Sequence, residues 1–252
     1  MALAIAVYYT ILKVVSVVIP AYNEEDYIGK LLVSLKKQTF KDFEIIVADG
    51  DSKDNTRKIA KSYAAKVVRG GSQSQGRNNG VRVARGEILL FLDADVTFGP
   101  EFVKKCINEF ESNKADIACC YFDTRGLNFE MRMVYETWNR SKHMRRETKL
   151  PDGEGQCLWI KKSVFMHLKG FNEKLRISED VDLIYRAVAK DYHYTMLEAK
   201  FKPSPRRYEN VNIARVVLGS FIGSVEQLIG KPTTGRFAEL VYGGWGIHNG
   251  KR

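Results

Sequence analysis

Short apolar runs alternate with amphipathic stretches through the first half of the chain, and this alternation limits the fold more than any other feature. The apolar runs predict strands, whereas the stretches between them repeat their apolar residues at helical spacing. The predicted strands are residues 14–19, 43–48, 66–68 and 87–92, and the predicted helices are 26–37 and 55–63. Such alternation is typical of βαβ units, so we expect an α/β domain with a mainly parallel sheet covered by helices on both faces.

The second half is predicted to add further elements to the same domain. We expect a helix at about 100–111, a strand at 115–122, a helix at 129–146, a strand at 194–201 and a basic helix near 212–228. No repeat, low-complexity tract or linker rich in proline, glycine and serine divides the chain. We therefore predict one continuous domain over residues 14–210, with extensions at 1–13 and 211–252.

The two extensions differ in composition. The first thirteen residues, MALAIAVYYTILK, are apolar but lack the basic start of a signal sequence, and Lys13 ends the run before the ~20 apolar residues that a bilayer-spanning helix needs. We expect an extra strand or helix packed on the domain, or alternatively a membrane-surface anchor.

The formal charge of the chain is +10, and the residues from Lys200 onward include nine Lys or Arg but only three acids. This predicts an anionic partner: a phosphorylated small molecule, an anionic membrane or nucleic acid.

The cysteines and histidines carry no metal or disulfide pattern. The four cysteines have no C-x-x-C spacing, and the four histidines form no H-E-x-x-H motif. Neither a zinc site nor a disulfide framework is indicated, and we predict a reducing cytoplasm as the compartment.

Acidic loops follow three of the predicted strands. The first strand is followed by PAYNEE, the second by DGDSKDNT and the fourth by DAD. In an open parallel sheet, ligands bind beyond the carboxyl ends of the strands, where such loops meet. The sequence therefore predicts a polar binding site at that edge.

Asp93 and Asp95 are two residues apart in extended chain, so their side chains point to the same side. Close carboxylates repel unless a cation lies beside them, and oxygen ligands favour Mg²⁺ or Mn²⁺, which commonly complete their shell with substrate phosphates. We expect a metal that holds a diphosphate. The alternative is a pair of solvated turn acids.

Three segments, taken together, resemble the family 2 glycosyltransferases of the GT-A fold. They are VVSVVIPAYNEEDYIGKLLVSLKKQTFKDFEIIVADGDSKDNT, GRNNGVRVARGEILLFLDADV and GFNEKLRISEDVDLIYRA, and the similarity covers roughly residues 14–207. The resemblance implies a single GT-A (Rossmann-like) domain, with a nucleotide-binding half at 14–123 and an acceptor half at 124–210. It also implies a nucleoside-diphosphate sugar donor and a divalent ion bound through the D-x-D motif.

The resemblance assigns the donor site residue by residue. Asp49 would accept a hydrogen bond from the base, Asp93 would lie near the ribose, and Asp95 would be the principal metal ligand beside Asp93. The segment that would line the base and ribose is Pro20, Ala21, Tyr22, Asn23 and Glu24, with Ala94 between the two D-x-D acids. A turn with a helix cap is the alternative for Tyr22 and Asn23, and Asp54 is expected to cap a helix.

The stretch GGSQSQGRNNG is interpreted as a loop entering a helix. It has the glycine spacing of a phosphate loop but lacks the Lys and Ser or Thr that such a loop needs. By the resemblance, Arg77 and Asn78 would reach the nucleotide. A solvated arginine is the alternative.

The resemblance places the acceptor chemistry in the second half. Asp180 in ISEDVDL would be the catalytic base, with Glu179 beside it, whereas capping of a helix start is the alternative for both and Asp182 is expected to be structural. In DGEGQCLWI, acceptor contacts are expected from Gly155, Gln156 and Trp159, with a core position as the alternative for Trp159.

Paired arginines in KPSPRRYE suit forked hydrogen bonding of phosphate, so Arg206 and Arg207 are expected to clamp the diphosphate, or alternatively to form a surface basic patch. Many relatives carry a histidine ligand near this point, and this chain has none. Its preceding histidine, His193, lies before the predicted strand.

The predicted function is an inverting, metal-assisted hexosyltransferase. Its donor would be a UDP-sugar, or alternatively a GDP-sugar, and its acceptor a saccharide hydroxyl or a lipid-linked acceptor. It would need Mn²⁺ or Mg²⁺, bind no nucleic acid, and act in the cytoplasm or at the inner face of an anionic membrane. A sugar nucleotidyltransferase is one alternative, but a glycine-rich loop should then replace PAYNEE. A non-catalytic membrane- or nucleic-acid-binding protein is another, and it leaves the acidic loops unexplained.

Overall fold

The computed structural model describes residues 15–175 and 178–204, which form seven strands and seven helices around one sheet. In chain order the elements are β1 (Val15–Ala21), α1 (Ile28–Lys36), β2 (Phe43–Asp49), α2 (Thr56–Ser62), β3 (Lys66–Arg69), α3 (Gln73–Arg82), β4 (Ile88–Leu92), α4 (Phe102–Ser112), β5 (Ile117–Phe122), α5 (Phe129–Arg145), β6 (Cys157–Lys161), α6 (Lys162–His167), α7 (Glu179–Val188) and β7 (Tyr194–Phe201). The apolar extension, the basic extension with its expected helix, Arg206 and Arg207 lie outside the described residues.

The strand order is β3-β2-β1-β4-β6-β5-β7, and every described pair is parallel except those made by β6. This confirms the predicted α/β fold with a mainly parallel sheet. The chain runs outward from β1 to β3 and then crosses back to β4 on the other side of β1. Ligands of open α/β sheets bind at such a reversal of strand order, so the carboxyl ends of β1, β2 and β4 meet where a site is expected.

The sheet is buried on both faces, which explains the nearly continuous apolar runs. All five residues of β4 are buried, and alternate side chains of β1 enter two separate cores: Val17 and Ile19 pack in one, and Val18 packs in the other. Helices α1, α4 and α5 contribute to the first core, and α3, α6 and α7 contribute to the second. Among the described residues, no helix is both long and apolar enough to cross a bilayer.

Helix α3 contains the stretch GRNNG and packs unusually close to the sheet. Ser72 caps it: the Ser72 hydroxyl accepts from the Gln75 backbone N–H (3.3 Å), and the Gln75 side chain accepts from the Ser72 N–H (3.0 Å). A Cβ built on Gly80 would lie 2.4 Å from a methyl group of Val18. Gly80 therefore permits close packing of the helix on the strand. Because residues 73–82 are helical, the glycine spacing in this stretch does not mark a phosphate loop.

Strand β6 was not predicted. Its first four residues are apolar and buried, its fifth is Lys161, and it runs antiparallel between β4 and β5. Such a run shows no alternation, so its sequence does not reveal its direction or its place in the sheet. Because β6 is antiparallel, the residues that precede it lie at the carboxyl edge of the other strands.

Candidate active site

The first two acidic loops are joined by hydrogen bonds from backbone N–H groups to side chains. The Asn23 N–H donates to the Ser52 hydroxyl (2.9 Å), and the Asn23 side chain accepts from the Lys53 N–H (2.8 Å). Asn23 has φ of 53°, in the left-handed region where asparagine is tolerated. The Glu24 N–H donates to the Thr56 hydroxyl (2.8 Å). The alternative reading of Asn23 as a turn residue agrees with this geometry.

The remaining predicted base and ribose residues line the same loop. Pro20 is half-buried, Ala21 ends β1 opposite Asp49 in the sheet register, and Tyr22 is exposed at the rim. Residues 20–24 therefore lie at the expected edge beside the end of β2.

Asp49 is a buried carboxylate with one oxygen unsatisfied. Its Oδ2 accepts from the Ser52 N–H (3.1 Å) and forms an ion pair with Arg57 Nε (2.8 Å). Its Oδ1 is buried and accepts no hydrogen bond from the described residues. A buried acceptor without a donor costs roughly 1–3 kcal/mol. Asp49 thus offers a ready partner for an N–H group of a ligand.

Asp54 lies one residue before the N-cap of α2, which is Asn55 and not Asp54 as predicted, but its carboxylate still binds the first residue of the helix. One carboxylate oxygen accepts from the Thr56 N–H (3.0 Å) and hydroxyl (2.5 Å), and the other accepts from the Glu25 N–H (3.1 Å). Burial raises the pKa of Asp54, but these hydrogen bonds outweigh it and hold the pKa below its usual value.

The D-x-D residues follow β4 at the same edge. Ala94 is buried in the core, whereas Asp93 and Asp95 on either side of it are half-buried. Both hydrogen bonds to the Asp93 side chain are accepted by Oδ1, from Gln73 Nε2 (3.1 Å) and Arg77 Nη2 (2.9 Å). Oδ2 accepts none from the described residues.

Arg77 neither reaches the surface nor stands free in solvent. Its side chain is 1% exposed, donates to Asp93, to Glu179 Oε1 (2.7 Å) and to the Gly155 carbonyl (3.2 Å), and lies over the Phe171 ring. The alternative of a solvated arginine is therefore wrong, whereas the expected contact with the nucleotide stays a prediction. These acids raise the pKa of Arg77 despite its burial.

Asn78 is turned away from Asp93. Its amide nitrogen donates to the Phe171 carbonyl (3.0 Å) and to Glu173 (2.9 Å), and its oxygen accepts from the Phe171 N–H (3.0 Å). It holds the loop after α6, and none of its described bonds leads toward the D-x-D acids.

Glu179 and Asp180 begin α7 but have different surroundings. Glu179 is buried against Arg77, and burial together with the Asp180 charge raises its pKa to about 7. Asp180 is half-buried; its Oδ2 accepts from the Gly155 N–H (2.5 Å) and its Oδ1 from the Val181 N–H (2.8 Å). Of the two carboxylates, Asp180 is the more open to a ligand.

Asp182 forms an ion pair with Arg186 (2.7 Å) within α7, in agreement with its predicted structural role. Arg186 also donates to the carbonyls of Leu168 (2.6 Å) and Gly170 (2.8 Å).

The segment before β6 approaches the D-x-D motif. The Gln156 carbonyl accepts from the Asp93 N–H (3.2 Å), and the buried Gln156 Oε1 has no partner among the described residues. A Cβ on Gly155 would lie 2.6 Å from Arg77 Nη2, so only glycine fits there without displacing the guanidinium. Trp159 is 0% exposed in the core, and the structure therefore places it in the alternative position and not at the acceptor side.

Sequence analysis missed a buried ion pair beside this segment. Lys142 of α5 contacts Glu154 Oε2, donates to the Cys120 carbonyl (3.2 Å) and lies 3.6 Å from the centre of the Phe122 ring. Burial raises the pKa of Glu154 to about 7 although Lys142 lowers it. A signal was present: Lys142 continues the helical spacing of buried Met131, Val134, Tyr135 and half-buried Trp138.

The carboxylates of the site suit a divalent cation that is coordinated partly by the protein and partly by a bound substrate. Among residues 15–175 and 178–204, no group of three or more His, Cys, Asp or Glu side chains is arranged to hold a metal alone. Two adjacent carboxylates, Asp93 and Asp95, match Mg²⁺-type binding, in which one or two carboxylates act together with substrate phosphates. The residues present therefore fit such an ion.

Comparison with known proteins agrees with this arrangement. A validoxylamine A glucosyltransferase from Streptomyces hygroscopicus subsp. limoneus is 32% identical over 145 residues, covering 52% of this chain and 32% of that protein. The putative glycosyltransferase EpsH of Bacillus subtilis (strain 168) is 25% identical over 219 residues, covering 81% and 62%. This chain thus spans from about a third to under two thirds of the length of these relatives.

Solved structures share the fold. The mannosyltransferase PcManGT from Pyrobaculum calidifontis, in complex with GDP-Man and Mn²⁺, has a TM-score of 0.67 at 15% identity, covering 91% of this chain and 68% of that one. S. aureus TarS 1-349 has a TM-score of 0.61 at 23% identity, covering 81% and 64%. Glucosyl-3-phosphoglycerate synthase from Mycobacterium tuberculosis has a TM-score of 0.61 at 18% identity, covering 89% and 82%.

A family model described as glycosyl transferase family 2 matches residues 16–169, more than half of the chain and all of the loops between β1 and β6 described above. The resemblance read from the sequence is confirmed: this chain is an enzyme of the GT-A fold that belongs to glycosyl transferase family 2.

Proposed function

We propose that this enzyme transfers a hexose from a nucleoside-diphosphate sugar to an acceptor hydroxyl with inversion at the anomeric carbon. The supporting observation is that Arg77 contacts Asp93, Glu179 and the Gly155 segment together, which draws the donor-side acids and the start of α7 into one site. A UDP-sugar is favoured, with a GDP-sugar as the alternative. Structural neighbours were solved with UDP, UDP-GlcNAc and GDP-Man.

The proposed donor contacts begin with Asp49. Its unsatisfied Oδ1 suits an imide N–H such as that of uracil, which a carboxylate can accept. Tyr22, exposed at the rim next to this carboxylate, would cover the base, and residues 20–24 would line the base and ribose. Arg206 and Arg207 remain proposed clamps for the diphosphate.

A divalent ion, Mn²⁺ or Mg²⁺, would be held by Asp95 and Asp93, and when bound it would offset the negative charge of the diphosphate. Two neighbours were solved with Mn²⁺. Asp93 keeps Oδ2 available for this purpose while Arg77 and Gln73 fix its Oδ1. These two donors set the orientation of the Asp93 carboxylate.

Asp180 is the proposed general base. Its carboxylate would take the proton of the acceptor hydroxyl while the new oxygen–carbon bond forms at the anomeric carbon and the bond to the diphosphate oxygen breaks, releasing the nucleoside diphosphate. Glu179 is a poorer candidate because its Oε1 is buried against Arg77. A positioned base typically contributes about 10²–10⁴-fold to the rate.

The acceptor is proposed to be a saccharide or a lipid-linked molecule that contacts Gly155 and Gln156. The buried, unpartnered Gln156 Oε1 offers one hydrogen-bond acceptor there. The +10 charge is compatible with an anionic membrane surface. A cytoplasmic site of action, including the inner face of a membrane, is proposed because the four cysteines show no disulfide pattern.

The proposal is tested by thermal-shift titration with UDP, GDP, NAD and a short oligonucleotide, each with and without Mn²⁺. A stabilisation that requires both a nucleoside diphosphate and the metal is expected. Screening of nucleotide sugars for hydrolysis or transfer then identifies the donor. Stabilisation by the oligonucleotide alone, or turnover of no nucleotide sugar, would refute the proposal.

A further inference from the structure

Arg77 is among the largest fully buried side chains of the described residues, and its three hydrogen-bond acceptors all belong to the proposed site. A buried guanidinium is costly unless it is paired and hydrogen-bonded. Its Nη1 donates to Glu179 and its Nη2 to both Asp93 and the Gly155 carbonyl, whereas Nε has no partner among the described residues. The position of Arg77 therefore depends on these three contacts.

The three partners come from separate parts of the chain. Asp93 follows β4 on the donor side, Gly155 precedes β6, and Glu179 begins α7, at sequence separations from Arg77 of 16, 78 and 102 residues. Helix α7 packs against β7, at the end of the sheet, whereas β4 is separated from β7 by β6 and β5. Arg77 thus provides a direct polar connection between the donor side and the start of α7.

Gly155 extends this connection to the proposed base. Its carbonyl accepts from Arg77 (3.2 Å) while its own N–H donates to Asp180 Oδ2 (2.5 Å). The absence of a Cβ at Gly155 leaves room for the guanidinium at this distance. A movement of the Arg77 guanidinium would therefore alter the hydrogen bond from the Gly155 N–H that orients Asp180.

We infer that Arg77 is a positioning residue that couples ligand binding at Asp93 to the orientation of Asp180 through Gly155. The inference rests on the proposed function, because the ligand at Asp93 is the nucleoside diphosphate. Nη2 carries two N–H groups and donates to both Asp93 and the Gly155 carbonyl, so a ligand that shifts the Asp93 carboxylate also shifts the guanidinium and its hydrogen bond to Gly155. Lysine offers no planar fork and cannot make the three directed contacts together.

The test is amide hydrogen exchange of the peptide spanning residues 151–158 in the full chain, with UDP and, in parallel, GDP, each saturating and with Mn²⁺. In the wild type, nucleotide binding is expected to slow exchange of this peptide by about fivefold or more, the lower end of typical coupling between sites. In Arg77→Lys at saturating nucleotide, the change is expected to be less than about twofold.

Arg186→Lys is the matched control. Arg186, like Arg77, donates to three groups. These are the Asp182 carboxylate and the carbonyls of Leu168 and Gly170, none of which belongs to the D-x-D motif. It is expected to keep the full wild-type response. If Arg77→Lys does not fold, Glu179→Gln replaces it, with exchange measured at pH 8 for both wild type and variant, above the pKa of about 7 of Glu179. This variant keeps the shape of the side chain while removing the charge that pairs with Nη1, and it is expected to lose most of the response.

The outcomes separate the two proposals. A folded Arg77→Lys or Glu179→Gln variant that binds nucleotide and keeps the full response overturns the coupling, and so does a wild type that binds nucleotide with no change in the 151–158 peptide. Absence of any binding of UDP or GDP to the wild type refutes the proposed function itself.

Discussion

Two glutamates, Glu179, which is buried, and Glu154, which is half-buried, should make the stability of the ligand-free protein fall as the pH rises toward neutrality. Burial raises the pKa of both Glu154 and Glu179 to about 7, against an ordinary value of 4.5, even though Lys142 and Arg77 lower it. Between about pH 4.5 and 7 the folded chain therefore binds protons that the unfolded chain has released. The contribution of these two glutamates to the free energy of unfolding is therefore largest below pH 4.5 and decreases through this interval.

The size of the effect follows from the width of the interval. About 2.5 pH units at ~1.4 kcal/mol per pH unit gives a loss of roughly 3 kcal/mol for each glutamate. Typical total stabilities are about 5–15 kcal/mol, so the combined loss is measurable.

Urea denaturation at several pH values from 4.5 to 7.5 measures this slope. Glu154→Gln and Glu179→Gln should each reduce it by up to ~1.4 kcal/mol per pH unit. Glu44→Gln is the matched control: burial raises the pKa of Glu44, but hydrogen bonds from Arg85 and Ser16 bring it below 4.5, outside the interval. A wild-type stability that is constant or rises over this range, with no difference in the two variants, would show the reasoning to be wrong.

Further predictions concern the site and the packing of α3. Asp180→Asn should lower kcat by about 10²–10⁴-fold while nucleotide affinity, measured by calorimetry, stays the same; near-normal turnover would exclude a base role and favour an acceptor that is already ionised. Asp49→Ala should weaken UDP binding by roughly 10-fold or more, as expected for a hydrogen bond to a charged group; unchanged affinity would contradict the base contact. Gly80→Ala should destabilise the fold by about 1–3 kcal/mol, because its Cβ would lie 2.4 Å from Val18. Gly29→Ala, whose Cβ would make an ordinary 3.7 Å contact, should not, as thermal denaturation can check.

The parallel part of the sheet and the edge that bears the site could be predicted because their signals are local. Strands β1, β2 and β4 are short apolar runs that end in acidic loops, and the rule that parallel strands present their carboxyl ends together needs no contact information. The place of Asp93 and Asp95 after β4 could be predicted in the same way, but the extended geometry expected for them is wrong: β4 ends at Leu92 and the chain turns at Ala94 and Asp95. The common direction of the two carboxylates stays a prediction.

The partners of charged residues could not be predicted, because they depend on contacts between distant parts of the chain. Arg77 lies 102 residues from Glu179 in sequence, and nothing near it indicates that its guanidinium is buried. Strand β6 escaped prediction because a run buried on both faces lacks alternation. Asp54 illustrates the opposite case, since its hydrogen bonds to Thr56 are local and its place at the start of a helix was predicted to within one residue.

The central position of β6 bears on how the enzyme acquires its activity during folding. This strand must enter between β4 and β5, and its pairing of Cys157 with Leu92 closes a long loop of chain, which is an entropically costly step that slows folding. Gly155 and Gln156 lie directly before this strand and contact Arg77 and the Asp93 N–H. We therefore expect the proposed site to form only when β6 completes the sheet, even if the first half of the chain has already folded.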